Sequence, residues 1–112
     1  MDSYHNIMAK KKTYKHDVFG ELHVLVEDDG AVLFLVQDIV RILDVSFECV
    51  LTASCFIVRG IYEYSFKTKD GGKMHFSFMD ERLVNELTDC PAWRESEQRK
   101  WLLETVLIEA KK

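Results

Sequence analysis

The feature that most constrains the fold is a β-hairpin signal in the middle of the chain. Residues 61–67 and 73–78 each alternate between apolar or aromatic and polar side chains, and Lys-Asp-Gly-Gly at 69–72 provides strong turn chemistry between them. The alternation places two sets of side chains on one face of each strand: Tyr62, Tyr64, Phe66 and Met74, Phe76, Phe78. The pattern therefore predicts an antiparallel strand pair with one aromatic face.

A second strand pair is predicted nearer the N-terminus. Residues 22–27 alternate like a half-buried strand, and Asp-Asp-Gly at 28–30 is typical of a tight turn. Residues 31–36 are apolar throughout, so we expect this strand to be covered on both faces.

Helical patterns fill most of the remaining chain. Residues 37–43 are amphipathic, Ser46 is a suitable N-cap for a helix through about residue 54, and Asp80 can cap a helix to about residue 87. The only proline, Pro91, precedes a final helix that ends near Lys111. These elements predict an α+β fold: a small single domain with antiparallel hairpins packed against several short helices and a longer C-terminal helix.

Composition and motif searches argue against several classes of function. The 112 residues are 47% hydrophobic and 30% charged, as in an ordinary globular domain. No apolar run approaches the roughly 18 residues of a membrane span, and the N-terminus lacks a secretory layout, so we expect a cytoplasmic protein that binds no membrane. The histidines and three cysteines form no nucleophile or metal-site pattern, and no phosphate-binding loop is present. We therefore predict no enzyme activity, no metal and no cofactor.

Charge is unevenly distributed along the sequence. The first 15 residues contain four lysines and one aspartate, whereas the rest contain 11 Lys and Arg against 18 Asp and Glu. We interpret 1–15 as a flexible basic arm and 16–112 as an acidic folded domain. An acidic domain is repelled by the phosphate backbone, which weakens the case for nucleic-acid binding.

Direct DNA binding nevertheless remains an alternative. Two predicted helices around a short turn, 37–43 and 46–54, resemble a helix-turn-helix, but the second offers no Arg or Lys to reach base edges. The candidates for phosphate contact are basic residues of the arm and of the domain: Lys10, Lys11, Lys12, Lys15, Arg41, Lys67, Lys69 and Lys73.

The predicted C-terminal helix is apolar around its circumference at 100° per residue, and a helix of this kind requires burial on more than one side. Two interpretations stay open: a homo-oligomer or partner surface, or deep insertion into the domain itself. For a protein-binding surface the candidates are Trp93, which follows the proline, and Leu103 and Leu107, which share one helical stripe.

Three groups of residues together resemble the N-terminal domain of the BRO family, found in phage antirepressors and baculovirus repeated-ORF proteins. The matching residues are Phe34, Asp38, Val40 and Leu43 in the apolar strand and the helix that follows it, Phe76, Ser77, Phe78, Asp80 and Glu81 from the end of the middle hairpin into the next helix, and Trp101, Glu104, Val106 and Leu107 near the end. The resemblance spans about 16–112 and indicates a stand-alone version of the domain. One departure is Thr-Asp-Cys-Pro at 88–91, which replaces a basic segment and weakens the case for inherited DNA binding.

The resemblance implies a phage or prophage regulator that acts by binding. We expect an antirepressor that sequesters a transcriptional repressor from its operator, since an acidic surface complements the basic DNA-reading face of a repressor. The alternatives are a DNA-binding transcription regulator and an inhibitor of a host defence or polymerase component. The expected partner is thus a phage repressor or another regulatory protein.

Overall fold

The structure is a computed structural model that describes residues 10–57 and 60–112. Its elements are β1 (Lys10–His16), β2 (Gly20–Val26), β3 (Val32–Leu35), α1 (Val36–Leu43), α2 (Phe47–Phe56), β4 (Ile61–Lys67), β5 (Lys73–Asp80), α3 (Glu81–Thr88), α4 (Glu97–Lys100), a π-helical segment (Trp101–Val106) and α5 (Leu107–Ala110). The last three elements are continuous and together form the C-terminal helix, residues 97–110. The predicted α+β class is confirmed.

The five strands form one antiparallel sheet in the order β1-β2-β3-β5-β4. In the β4–β5 hairpin Tyr62 lies opposite Phe78 and Tyr64 opposite Phe76, so the predicted aromatic face is confirmed. Two predicted helix caps are also confirmed. The Ser46 side chain accepts a hydrogen bond from Cys49 N at 3.2 Å, and Asp80 Oδ1 accepts one from Leu83 N at 3.0 Å.

The boundary between basic arm and domain was predicted incorrectly. Lys10–His16 form β1, which pairs with β2 along its whole length, from Lys10 opposite Val26 to His16 opposite Gly20. Residues 1–9 of the predicted arm lie outside the described residues. Lysines suit β1 because it is an edge strand, where charge discourages pairing with another chain. The four lysines of the predicted arm therefore belong to the domain, which is less acidic than the sequence suggested.

The sheet separates two apolar clusters. On one face, side chains of β2, β3 and β5 such as Leu22, Phe34 and Met79 pack against the helices, and we call this cluster the helix-side core. The opposite face carries a smaller cluster of Leu25, Leu33, Leu35, Tyr64 and Phe78. All four residues of β3 are buried, so the predicted coverage of this strand on both faces is confirmed.

The sheet is strongly curved towards the smaller cluster. β1 and β4 are its opposite edges, yet Lys11 Nζ of β1 lies 4.3 Å from the ring centre of Phe66 in β4. The Tyr64 hydroxyl likewise reaches back from β4 to donate a hydrogen bond to the Glu27 carboxylate. The β4–β5 hairpin therefore curls over this side of the sheet, which we call the concave face.

The C-terminal helix docks on the domain's own core. Leu102, Val106, Leu107 and Ala110 are buried against the sheet and the other helices. A polar strip faces away from the domain and contains Glu104, Thr105, Ile108 and Glu109, of which only Ile108 is large and apolar. Deep insertion, one of the two interpretations left open, is thus the arrangement observed.

The widened middle of this helix explains why its apolar residues appeared to be spread around it. In the π-helical segment the backbone bonds from residue i+5 to i, as Leu107 N does to Leu102 O. Leu102 and Val106 share one side in either geometry, and the i+5 bond brings Leu107 to that side as well, whereas 100° per residue would turn it well away from Leu102. The prediction of an oligomer contact at Leu107 is wrong, because this side chain is only 6% exposed within its own domain.

Candidate functional site

The residues of α1 that carry the BRO resemblance have a structural task at the end of β3. β3 pairs with only Val24–Val26 of β2, so the first half of β2 extends beyond its neighbour. Asp38 of α1 binds the backbone of β2 there. Its Oδ2 accepts a hydrogen bond from His23 N at 2.8 Å and lies 2.9 Å from His23 Nδ1. This contact satisfies a backbone donor that would otherwise lack a partner.

Arg41, one turn further along α1, binds backbone carbonyl groups at the start of β2 in the same way. Its guanidinium donates hydrogen bonds to the carbonyl oxygens of Phe19, at 2.5 Å, and Glu21, and lies 3.4 Å from Asp38 Oδ1. Gly20 allows this approach, because a Cβ there would lie 2.9 Å from Arg41 Nη1. Arg41 is thereby engaged within the domain, which argues against its predicted role in phosphate contact.

Beyond the end of β3 the hairpins β1–β2 and β4–β5 are no longer bridged by this strand, and a cleft of about 510 Å³ lies there on the concave face. Its apolar lining consists of Val24, Leu25, Leu35, Phe66, Phe76 and Phe78. Polar side chains surround them: Lys11, Thr13, His23, Gln37 and Asp38. We call this site the aromatic cleft, and its composition suits a ligand that is apolar with a polar end.

Two tyrosines beside the aromatic cleft are held as neutral hydrogen-bond donors. Burial, followed by the hydrogen bond to Glu27, raises the pKa of Tyr64 far above its ordinary value. Burial also raises the pKa of Tyr62, and the neighbouring Asp80 carboxylate adds to the effect. The Tyr64 hydroxyl ties β4 to Glu27, which follows β2, whereas the Tyr62 hydroxyl donates to Asp80 at 3.2 Å within the β4–β5 hairpin itself.

A second candidate surface lies on α2, outside the sheet. Within α2 only Val50 and Ala53 are buried, whereas Phe47, Leu51 and Phe56 are 49%, 46% and 76% exposed. A groove of about 410 Å³ runs between α2 and α3 and includes Glu48, Cys49, Thr52, Phe56, Glu86 and Leu87. We call it the α2–α3 groove; it is both apolar and acidic.

Sequence reasoning missed the α2–α3 groove although a signal was present. Phe47 and Leu51 share one side of α2 and Phe56 lies on the opposite side, with the buried Val50 and Ala53 between them. This is the all-round apolar pattern that led us to assign a partner surface to the C-terminal helix. Both helices carry this pattern, and α2 is the one that keeps its large apolar side chains exposed.

The three predicted protein-binding residues lie against or within the helix-side core. Trp93 and Leu103 are half-buried and pack on that cluster, and Leu107 is part of it. Trp101, whose ring centre lies 5.1 Å from that of His16, is also half-buried. Trp93 and Leu103 keep part of their surface exposed and stay predicted contacts, whereas α2 exposes three large apolar side chains that were not among the predicted contacts.

The predicted DNA-contacting lysines separate into two groups. Lys67 lies opposite Lys73 at the end of the β4–β5 hairpin, and Lys69 is in the exposed turn between them. The other group is on β1, where Lys12 Nζ donates to the carbonyl of Ala110 at 3.5 Å and Lys15 lies 3.7 Å from Glu21. Lys10 and Lys11 of β1 are exposed. Lys67, Lys69 and Lys73 thus gather three exposed cations around one turn.

Within residues 10–57 and 60–112, no group of three or more His, Cys, Asp or Glu side chains is placed to hold a metal ion, and no helix is long and apolar enough to span a membrane.

Comparisons with protein-family models, with curated proteins and with solved structures found no match to this chain. The BRO resemblance therefore stays a prediction made from the sequence.

Proposed function

We propose that this chain is a phage or prophage regulatory protein that acts by binding, and that it is an antirepressor whose α2–α3 groove holds the DNA-reading helix of a transcriptional repressor. The observation that carries the proposal is the exposed apolar surface of α2, a helix that buries only two of its residues. Such a protein would act in the cytoplasm of the host cell. The identification of the partner rests on the BRO resemblance.

The shape and chemistry of the groove support a helical occupant. Phe56 and Leu87 supply apolar contact area, and Cys49 and Ala53 keep the groove open because their side chains are small. An amphipathic helix laid in such a groove would bury its apolar face against them, which is a common mode of peptide recognition. Phe56, at 76% exposed, is the side chain that gains most from being covered.

The negative charge of the groove favours a helix that carries basic residues. Glu48 of α2 and Glu86 of α3 both line it, and both are exposed. The recognition helix of a repressor presents Arg and Lys to DNA, so its charges complement these carboxylates. Occupation of the groove would cover the residues that the repressor needs for its operator, and this explains how binding alone would release repression.

The decisive experiment is co-purification with the cognate repressor, followed by an operator-binding titration. We expect this protein in excess to abolish operator binding. Phe56→Glu should weaken the complex by about tenfold or more, as for an interface anchor. Glu86→Lys should weaken it as well, by a smaller factor that diminishes at high salt.

Ile108→Glu is the matched control, because Ile108 is an exposed apolar residue on the C-terminal helix, away from the groove. It should leave the complex intact. A repressor that still holds its operator in the presence of excess protein would refute the antirepressor proposal.

Direct DNA binding is the second candidate function, and the cluster of Lys67, Lys69 and Lys73 at the hairpin end favours it. A mobility-shift titration over salt separates the two functions. Phosphate contacts would make affinity fall steeply as salt rises, and Lys69→Gln would reduce that slope. Operator-independent, salt-sensitive binding of DNA by the protein alone would favour this alternative.

A further inference from the structure

The aromatic cleft lies on the concave face, and the proposed docking of a repressor makes no use of it. Phe66, Phe76 and Phe78 of the curled hairpin form one wall, with the rings of Phe66 and Phe76 centred 5.8 Å apart and tilted by 58°. Rings in this arrangement offer faces and edges to another ring. A volume of about 510 Å³ is within the usual range for small-molecule sites. The apolar part of the cleft thus suits a flat aromatic group.

The cation at the edge of this wall is Lys11. Its ammonium lies 4.3 Å from the centre of the Phe66 ring and forms no ion pair with the described carboxylates. Lys12 also lines the cleft, but its Nζ is directed to the C-terminal helix, where it donates to Ala110 O. Lys11 is therefore placed to meet an anionic group on a ligand whose ring lies against the phenylalanines.

The acidic residue of the lining does not cancel this charge. Asp38 Oδ2 is engaged by the backbone N–H and ring of His23, and Oδ1 faces Arg41 at 3.4 Å. The side chain of Asp38 is 13% exposed, whereas that of His23 is 49% exposed. A ligand in the cleft would meet His23, Thr13 and Gln37 as hydrogen-bonding groups before it met the Asp38 carboxylate.

We propose that the aromatic cleft binds a small molecule that joins a flat aromatic ring to one anionic group. The ring packs on Phe66, Phe76 and Phe78, and the anion pairs with the Lys11 ammonium. Aromatic carboxylates and nucleoside monophosphates share this chemistry. The inference does not depend on the antirepressor proposal, because the cleft and the α2–α3 groove share no lining residue.

Isothermal titration calorimetry with three probes of one ring and different charge tests the proposal: indole-3-acetate, the neutral alcohol tryptophol, and tryptamine. We expect the anion to bind about fivefold more tightly than the alcohol, as one partly exposed charge pair allows, and the cation to bind most weakly. Adenosine monophosphate, compared with indole-3-acetate, distinguishes a phosphate ligand from a carboxylate.

Lys11→Met should remove the preference for the anion over the alcohol. Lys10→Met is the matched control on the same strand, since neighbouring residues of a strand point to opposite faces, and it should retain the preference. Phe76→Leu should weaken all three probes. Because Lys11 is exposed, its variant tests the proposal even where Phe76→Leu fails to fold.

Three results would overturn the proposal. They are the absence of saturable binding of both anions up to about 1 mM, equal affinity for the three indole probes, and an anion preference that survives Lys11→Met.

Discussion

α2 and the C-terminal helix are both rich in apolar residues, but they differ in how far the structure buries them. Each is rich in large apolar residues that a 100° projection distributes around the helix. The C-terminal helix buries Leu102, Val106, Leu107 and Ala110 and exposes a polar strip, whereas α2 buries Val50 and Ala53 and exposes Phe47, Leu51 and Phe56. One helix completes the core of the domain, and the other carries apolar surface that is available to a partner.

The difference shows that an all-round apolar helix does not by itself identify a binding surface. The π-helical segment regroups the apolar residues of the C-terminal helix on one side, so the domain alone can cover them. α2 has regular α-helical geometry, so Phe56 stays on the side opposite Phe47 and Leu51, and one neighbouring element cannot cover all three. Local backbone geometry therefore helps to decide which of the two helices keeps apolar surface exposed.

The largest effect expected from this comparison is on stability. Leu102→Ala should lower the free energy of unfolding by about 2–5 kcal/mol, because the side chain is fully buried and its loss leaves a cavity. Leu51→Ala on α2 should cost less than about 1 kcal/mol, since this leucine is about half exposed. Urea denaturation of both variants measures the contrast. Equal losses would contradict the assignment of α2 as the exposed helix.

A smaller effect is expected at Leu103, which the sequence placed in an oligomer contact. Leu103 packs against the helix-side core and is half-buried, so Leu103→Asp should lower the free energy of unfolding by about 1–3 kcal/mol. Denaturation combined with size-exclusion chromatography measures both properties. Dissociation of an oligomer without loss of stability would instead support the predicted oligomer contact at Leu103.

The smallest effect concerns the two serine N-caps. Ser96 accepts a hydrogen bond from Arg99 N at 3.1 Å and Ser46 accepts one from Cys49 N at 3.2 Å, so removal of either should cost about 1 kcal/mol. Ser96→Ala should lower global stability, whereas Ser46→Ala should mainly increase local opening of α2, which has few buried contacts. Hydrogen exchange of the backbone amides of α2 distinguishes the two responses. Unchanged exchange in α2 would mean that this helix is not held more weakly than the other.

Local patterns predicted much of the fold. The alternation in β4 and β5 and the turn between them predicted a hairpin, and its observed register pairs Tyr62 with Phe78. Ser46 and Asp80 were recognised as caps because a side chain of that kind before an apolar run is a strong helix-start signal. The apolar run that became β3 was long enough to indicate burial on both faces.

β1 and the candidate sites were not predictable in the same way. The lysine-rich sequence of β1 has no apolar alternation, and it becomes a strand because β2 offers it hydrogen bonds along its whole length. The aromatic cleft combines residues from β1, β2, α1 and the curled hairpin. Which pairs come close depends on the curvature of the sheet, as the contact between Lys11 and Phe66 shows.

The sequence by itself determined the fold class, the aromatic hairpin, the helix caps and the unit in which Asp38 follows a buried strand. These follow from interactions between residues close together in the chain. The tertiary structure alone decided that the lysines of β1 belong to the sheet, that the C-terminal helix is core and that α2 is the exposed apolar helix. Burial depends on what the rest of the chain places against a residue, and a local pattern contains no information about that neighbour.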